Sequence, residues 1–217
     1  MRLLFLTTVA ALSLSALSVS AASDEEKAGK RVYMTKSCLA CHGRNGAKPI
    51  MSFPALAGQN EKYLVQQMED IRDGKRVGSV DPATGHPYVQ GMTDIMHLLS
   101  PEDITNVSKY LAGLPPAAPE VLDPAPSAEL LDDGAKAYKK LKCKTCHGAE
   151  GDKPTNKAYP FLAALDRDYL IRAMTEMRDK VRTNGKSKMM WGMIKKADDE
   201  QIKAMATWLS QVERPSK

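Results

Sequence analysis

Apolar positions along the chain form one long cluster at the start and then shorter clusters set among turn residues, with no stretch of sustained strand-like alternation. The run from Leu3 to Leu17 follows a positive charge at Arg2 and leads to the small residues Ser20, Ala21 and Ala22. That layout is the one of a cleaved secretory signal. A spanning helix needs about 20 predominantly apolar residues, and this core is interrupted by Thr7, Thr8, Ser13 and Ser15. Residues 1–22 are therefore expected to be a signal peptide that directs export and is removed. No later segment is long and apolar enough to span a bilayer.

The remaining pattern predicts helices. Ser100 followed by Pro101, Glu102 and Asp103 reads as an N-cap, a first-position proline and acids in the first turn, and Gly113 closes that helix. Asp198, Asp199 and Glu200 open a matching one. The mature chain is predicted to be all-α with long loops. Five prolines in LPPAAPEVLDPAPSAE, from Leu114, block a helix and favour an extended spacer. The expected division is a domain at 23–113, a linker at 114–127 and a second domain at 128–217.

The two halves repeat each other, which fixes more than either half alone. Gly29 and Tyr33 precede Cys38 by nine and five residues, and Gly134 and Tyr138 stand at the same distances from Cys143. FPALAGQNEKYL from Phe53 aligns with YPFLAALDRDYL from Tyr159, pairing Pro54 with Pro160 and Tyr63 with Tyr169. Met92 and Met190 each stand twelve residues before an isoleucine, Ile104 or Ile202, with an aromatic, Tyr110 or Trp208, six residues further on. Gly29 and Gly134 are placed to let a helix cross closely onto Tyr110 and Trp208.

All four cysteines sit in two copies of one motif, Cys38-Leu-Ala-Cys41-His42 and Cys143-Lys-Thr-Cys146-His147. Export alone would favour disulfides, but CxxCH is the attachment motif of a c-type haem, two thioether bonds plus an adjacent histidine for the iron. Zinc ribbons separate their cysteine pairs by about 15 to 20 residues; here 101 residues lie between Cys41 and Cys143. A redox dithiol would want a βαβ context, which is missing. Two covalent haem c groups are expected. They would also supply apolar volume to halves of about 90 residues that are thin for a free-standing core, since aromatic residues make up only 6% of the chain.

Methionine is the usual second axial ligand in electron-carrying cytochromes c. The repeat selects Met92 and Met190 from the chain's twelve methionines, with Met96, Met189 and Met193 as neighbouring alternatives. The second half has no histidine other than His147, so its sixth ligand is not histidine; by symmetry His86 and His97 are read as surface or loop residues. A ligating histidine commonly donates its other ring NH to a carbonyl, and Pro54 and Pro160 are positioned to offer one. Arg72 and Arg178 recur at matched positions, either as partners of haem propionates or as solvated arginines.

Charge is uneven: residues 22–113 carry eleven groups of each sign, and residues 128–217 carry 19 basic against 13 acidic. Lys139, Lys140, Lys142 and Lys144 surround the second CxxCH, and Lys186, Lys188, Lys195 and Lys196 flank Met190. Such a face steers acidic partners. No aromatic-interleaved basic motif is present, so nucleic-acid binding is not expected.

Tandem CxxCH halves, Pro-Ala-Leu-Ala-Gly-Gln after the first motif, and Met-Thr seven residues before Leu-Ser-Pro-Glu-Asp-Ile resemble the dihaem cytochrome c4 family. The resemblance implies two class I cytochrome c domains related by a pseudo-twofold axis, haems facing across the interface, and periplasmic delivery of single electrons toward a terminal oxidase. It carries axial roles to His42, Met92, His147 and Met190 and carbonyl roles to Pro54 and Pro160. Partners would be redox proteins, an electron donor and the oxidase or a flavoprotein, with membrane association only peripheral and through them. Leu162 to Leu165 (LAAL) and Ala197-Asp198 depart from the pattern and are also similar to the dihaem subunit of flavocytochrome c sulfide dehydrogenases. With every cysteine committed and a methionine available in each half, the chain is expected to be a carrier rather than an enzyme; a dihaem peroxidase or thiosulfate-oxidising cytochrome is the contrasting class.

Overall fold

The computed structural model describes residues 23–215; the signal-peptide expectation for residues 1–22 lies outside them. Ten α-helices run through the described residues, with no strand beyond an isolated bridge between Val80 and Pro87. The first half holds α1 (Asp24–Thr35), α2 (Cys38–His42), α3 (Glu61–Arg72), α4 (Gln90–Met96) and α5 (Pro101–Gly113). The second repeats that order as α6 (Ala128–Lys140), α7 (Lys144–His147), α8 (Arg167–Arg178), α9 (Ser187–Ile194) and α10 (Asp199–Gln211).

The helix starts follow from their caps. Ser100 Oγ accepts from Asp103 N while Asp103 reaches back to Ser100 N, and Pro101 fills the first helical position. Asp198 and Gln201 build the same reciprocal cap on α10, so the loss of Leu-Ser in the second half does not cost the helix its start. In each half the first and last helices cross, α1 on α5 and α6 on α10. Buried Tyr33 and Tyr138 lie inside those crossings, and their phenols donate to the Gly43 and Gly148 carbonyls at 2.6 and 2.9 Å. The first helix is thereby tied to the turn that follows each CxxCH.

Two apolar cores result, one centred on Tyr33, Leu64, Met96 and Leu111, the other on Tyr138, Leu170, Ile194 and Leu209. Residues between α5 and α6 form no helix, but they are not a free spacer. Glu120 N donates to Ser210 O at 2.9 Å and Glu120 Oε2 accepts from Arg167 N at 2.8 Å, pinning the stretch to the second half.

Candidate haem-binding sites

Each CxxCH forms a short helix that presents its residues to one side: Cys38, Cys41 and His42 on α2, and Cys146 and His147 on α7 with Cys143 just ahead of it. None of the four cysteines is in a disulfide. Burial pushes the Cys38 and Cys143 thiols up to about 11. A catalytic redox dithiol has the opposite shift, a thiol pKa lowered toward neutrality, so the surroundings argue against that rival.

His42 is 3% exposed, and its Nδ1 lies 3.0 Å from the Pro54 carbonyl oxygen. His147 stands in the same relation to Pro160, also at 3.0 Å. A carbonyl only accepts, so Nδ1 carries the proton and the Nε2 lone pair faces the other way. Burial pushes both imidazoles below their ordinary value, opposed by the proline carbonyls, and Arg76 adds to the depression at His42. Both are therefore neutral, which is the form that ligates metal. His42 Nε2 is a buried nitrogen without any hydrogen-bond partner in the protein. Buried polar atoms are rarely left so, and a neutral imidazole oriented by a carbonyl is the donor that haem iron takes.

His42, Pro54, Leu64, Met68 and Met92 line one cleft. Met92 is half-buried there on α4, whereas Met96 is 1% exposed and belongs to the core. In α9, Met190 is half-buried, Ile194 takes the core place of Met96, and Met189 and Met193 are exposed. Met189 also receives the Tyr159 hydroxyl at 3.9 Å. His86 and His97 are both on the surface. Arg72 and Arg178 are engaged by the chain's own carboxylates, Arg72 with Asp73 at 3.0 Å and Arg178 with Asp199 at 2.6 Å.

The cleft reaches across the junction of the halves, where Tyr169, Arg172 and Glu176 close it. There Arg76 donates to the Tyr169 hydroxyl at 3.4 Å and Arg182 to the Tyr63 hydroxyl at 3.2 Å, an exchange between equivalent residues. Burial pushes both phenols up; at Tyr169 the two guanidiniums outweigh it and bring the group down to about 8. Gln59 pairs with the Phe161 backbone through both amide atoms, at 2.8 and 3.0 Å, and Arg172 holds Ser52 through two bonds of 2.7 Å. Of this set the repeat in the sequence marks Tyr63 and Tyr169 but not their partners, although Arg76 and Arg182 stand four residues after the matched Arg72 and Arg178.

Comparison with known proteins gives a consistent result. The cytochrome c family model matches twice, over residues 26–115 and 131–213. Cytochrome c4 of Pseudomonas aeruginosa is 32% identical over 176 residues, 79% of this chain and 82% of that protein. The thiosulfate dehydrogenase electron acceptor of Thiomonas intermedia is 26% identical over 217 residues, 96% of this chain and 90% of that one. The crystal structure of reduced recombinant cytochrome c4 from Pseudomonas stutzeri superposes with a TM-score of 0.71 at 28% identity, covering 88% of this chain and all of that one. The chain thus belongs to the cytochrome c4 family of dihaem electron-transfer proteins, with two tandem cytochrome c domains and two covalently bound haem c groups.

Proposed function

We propose that this chain carries single electrons between redox proteins in the periplasm, toward a terminal oxidase, through two haems that each have histidine and methionine axial ligands. Cys38 and Cys41 would hold the first haem and Cys143 and Cys146 the second, with His42 and Met92, and His147 and Met190, on the two irons. The supporting observation is the buried, partnerless His42 Nε2 in the same cleft as half-buried Met92. Haem iron supplies the one-electron chemistry; the chain supplies ligation, burial and orientation. Burial keeps the imidazoles neutral, and Pro54 and Pro160 hold the proton on Nδ1 and turn each ring. A histidine and a methionine held for each iron would leave neither with the open coordination site that peroxide or sulfur chemistry needs. The eight lysines around the second CxxCH and Met190 are all exposed, so acidic partners dock there by electrostatic steering.

Stepwise reductive titration of the holoprotein tests this reading. Two one-electron events, re-oxidation by oxidase-containing membranes and no turnover of peroxide or thiosulfate support it. Turnover of either compound by the purified chain contradicts it.

A second reading has the chain accept electrons from a sulfur-oxidising enzyme, as a flavocytochrome subunit or a free acceptor. It is favoured by the likeness to the relative named as a thiosulfate dehydrogenase electron acceptor. Recovery of such an enzyme in stoichiometric amount with the chain from periplasm and membranes would select it.

A further inference from the structure

Two carboxylates that haem attachment does not use occupy equivalent places in the repeat. Asp70 on α3 and Glu176 on α8 each stand seven residues after the matched tyrosines Tyr63 and Tyr169. Both are buried, 3% and 6% exposed. A carboxylate in such a place is stable only when hydrogen-bonded, and each finds partners in the other domain. Glu176 Oε1 accepts from both the backbone nitrogen and the hydroxyl of Ser79, each at 2.8 Å. Asp70 Oδ2 accepts from Asn184 Nδ2 at 2.7 Å. Glycines allow the approach: a Cβ at Gly78 would sit 3.3 Å from Glu176 Oε1, and one at Gly185 would sit 3.2 Å from Asp70 Oδ2.

The gripped residues lie on the loops that lead to the methionine helices. Ser79 O accepts from Tyr88 N at 3.0 Å, two residues before α4 begins, and the Tyr88 ring lies 4.3 Å from the Arg172 guanidinium of the second domain. On the other side, Asn184 O accepts from Ser187 N at 3.0 Å and from Ser187 Oγ at 2.6 Å, and Ser187 opens α9. Glu176 is therefore linked through Ser79 to Tyr88, two residues before the helix that carries Met92, and Asp70 through Asn184 to Ser187, the first residue of the helix that carries Met190.

We propose that the domains exchange clasps on their methionine loops: Glu176 of the second domain positions Met92 of the first, and Asp70 of the first positions Met190 of the second. Asp70 and Glu176 are positioning residues, and each iron's sixth ligand is held by the domain that does not bind that iron. This rests on the reading of Met92 and Met190 as axial ligands. Its consequence is a crossed response, in which damage to a carboxylate shows itself at the distant haem.

The test follows the hyperfine-shifted methyl signals of the iron-bound methionines in the oxidised holoprotein, assigned with Met92→Leu and Met190→Leu, while imidazole displaces them. In Glu176→Ala the Met92 signal yields to imidazole at a concentration about tenfold lower, the factor equivalent to about 1.4 kcal/mol, and the Met190 signal keeps its wild-type midpoint. Asp70→Ala gives the reverse. Glu176→Gln, which keeps an acceptor oxygen, restores the Met92 midpoint. Hydrogen exchange at the Ser79 amide, faster in Glu176→Ala and unchanged in Asp70→Ala, reports the same clasp without reference to iron. Should a carboxylate variant fail to fold, Asn184→Ala opens one clasp from the loop side and Ser79→Ala, which keeps the backbone bond to Glu176, weakens the other, with the same crossed pattern and a smaller shift at Met92. Response of the methionine in the carboxylate's own domain, equal response of both, or none overturns the proposal. If Met92→Leu and Met190→Leu leave both methyl signals in place, the ligand assignment has failed and the proposal falls with it.

Discussion

Gly134 meets Ala204 backbone to backbone: a Cβ on Gly134 would sit 2.2 Å from the Ala204 carbonyl oxygen and 2.7 Å from Trp208 Cβ. Gly29 stands in the same relation to Asn106, at 2.0 Å, and to Tyr110. These are the crossings of α6 on α10 and α1 on α5, and what blocks the added methyl is backbone, which has no room to yield. Gly134→Ala and Gly29→Ala are each expected to cost about 1 to 3 kcal/mol through overpacking, read as a lower urea midpoint of the holoprotein. Gly192, with open space at its Cβ position on α9, is the control. Its change to alanine is expected to be neutral or to stabilise by up to about 1 kcal/mol.

Acid should weaken the fold through two particular groups. Burial pushes His42 and His147 below the ordinary imidazole value, which is about 6.5. The unfolded chain therefore takes up protons first as pH falls. Stability is full above about 6.5 and declines below it until the folded-state values are reached, by up to about 1.4 kcal/mol per pH unit for each histidine. Urea unfolding of the holoprotein from pH 8 to pH 5 checks this: a plateau followed by a falling limb is expected. A flat profile across that window would contradict it.

Docking should depend on the second domain. Lys140 and Lys144 are exposed beside the second CxxCH. Changing both to glutamate is expected to slow association with an acidic redox partner by about tenfold or more at low ionic strength and to flatten the salt dependence of the rate. Lys62→Glu, an exposed lysine on α3 of the first domain, should change the rate little. Stopped-flow mixing over a range of salt separates the two.

Much of this architecture was legible in the sequence because the repeat doubled every signal. Ser100 and Asp198 announce the last helix of each half, and the matched glycines announce the helix crossings. Met92 and Met190 are half-buried, whereas Met96 and Ile194 are in the core and Met189 and Met193 are exposed, a difference in burial that spacing alone does not give. Arg72 and Arg178 were the less legible pair. An arginine that meets Asp73 or Asp199 at the surface looks, in one dimension, the same as one that faces an interior cofactor. The interface was the least legible of all, because Asp70, Arg76, Glu176 and Arg182 read as ordinary charged helix-end residues until the halves are set against each other. A proline-rich stretch gives its own stiffness in sequence but not the contacts of Glu120 that pin it.

The most direct measurement is the absorption spectrum of the oxidised holoprotein, recorded for the wild type, Met92→Leu and Met190→Leu. The account predicts two low-spin haems with a far-red methionine-to-iron band, each substitution removing about half of its intensity, while Met96→Leu, Met189→Leu and Met193→Leu leave it intact. High-spin features in the wild type, or a band that survives loss of both Met92 and Met190, would contradict the claim that this chain is a dedicated carrier with closed His/Met sites.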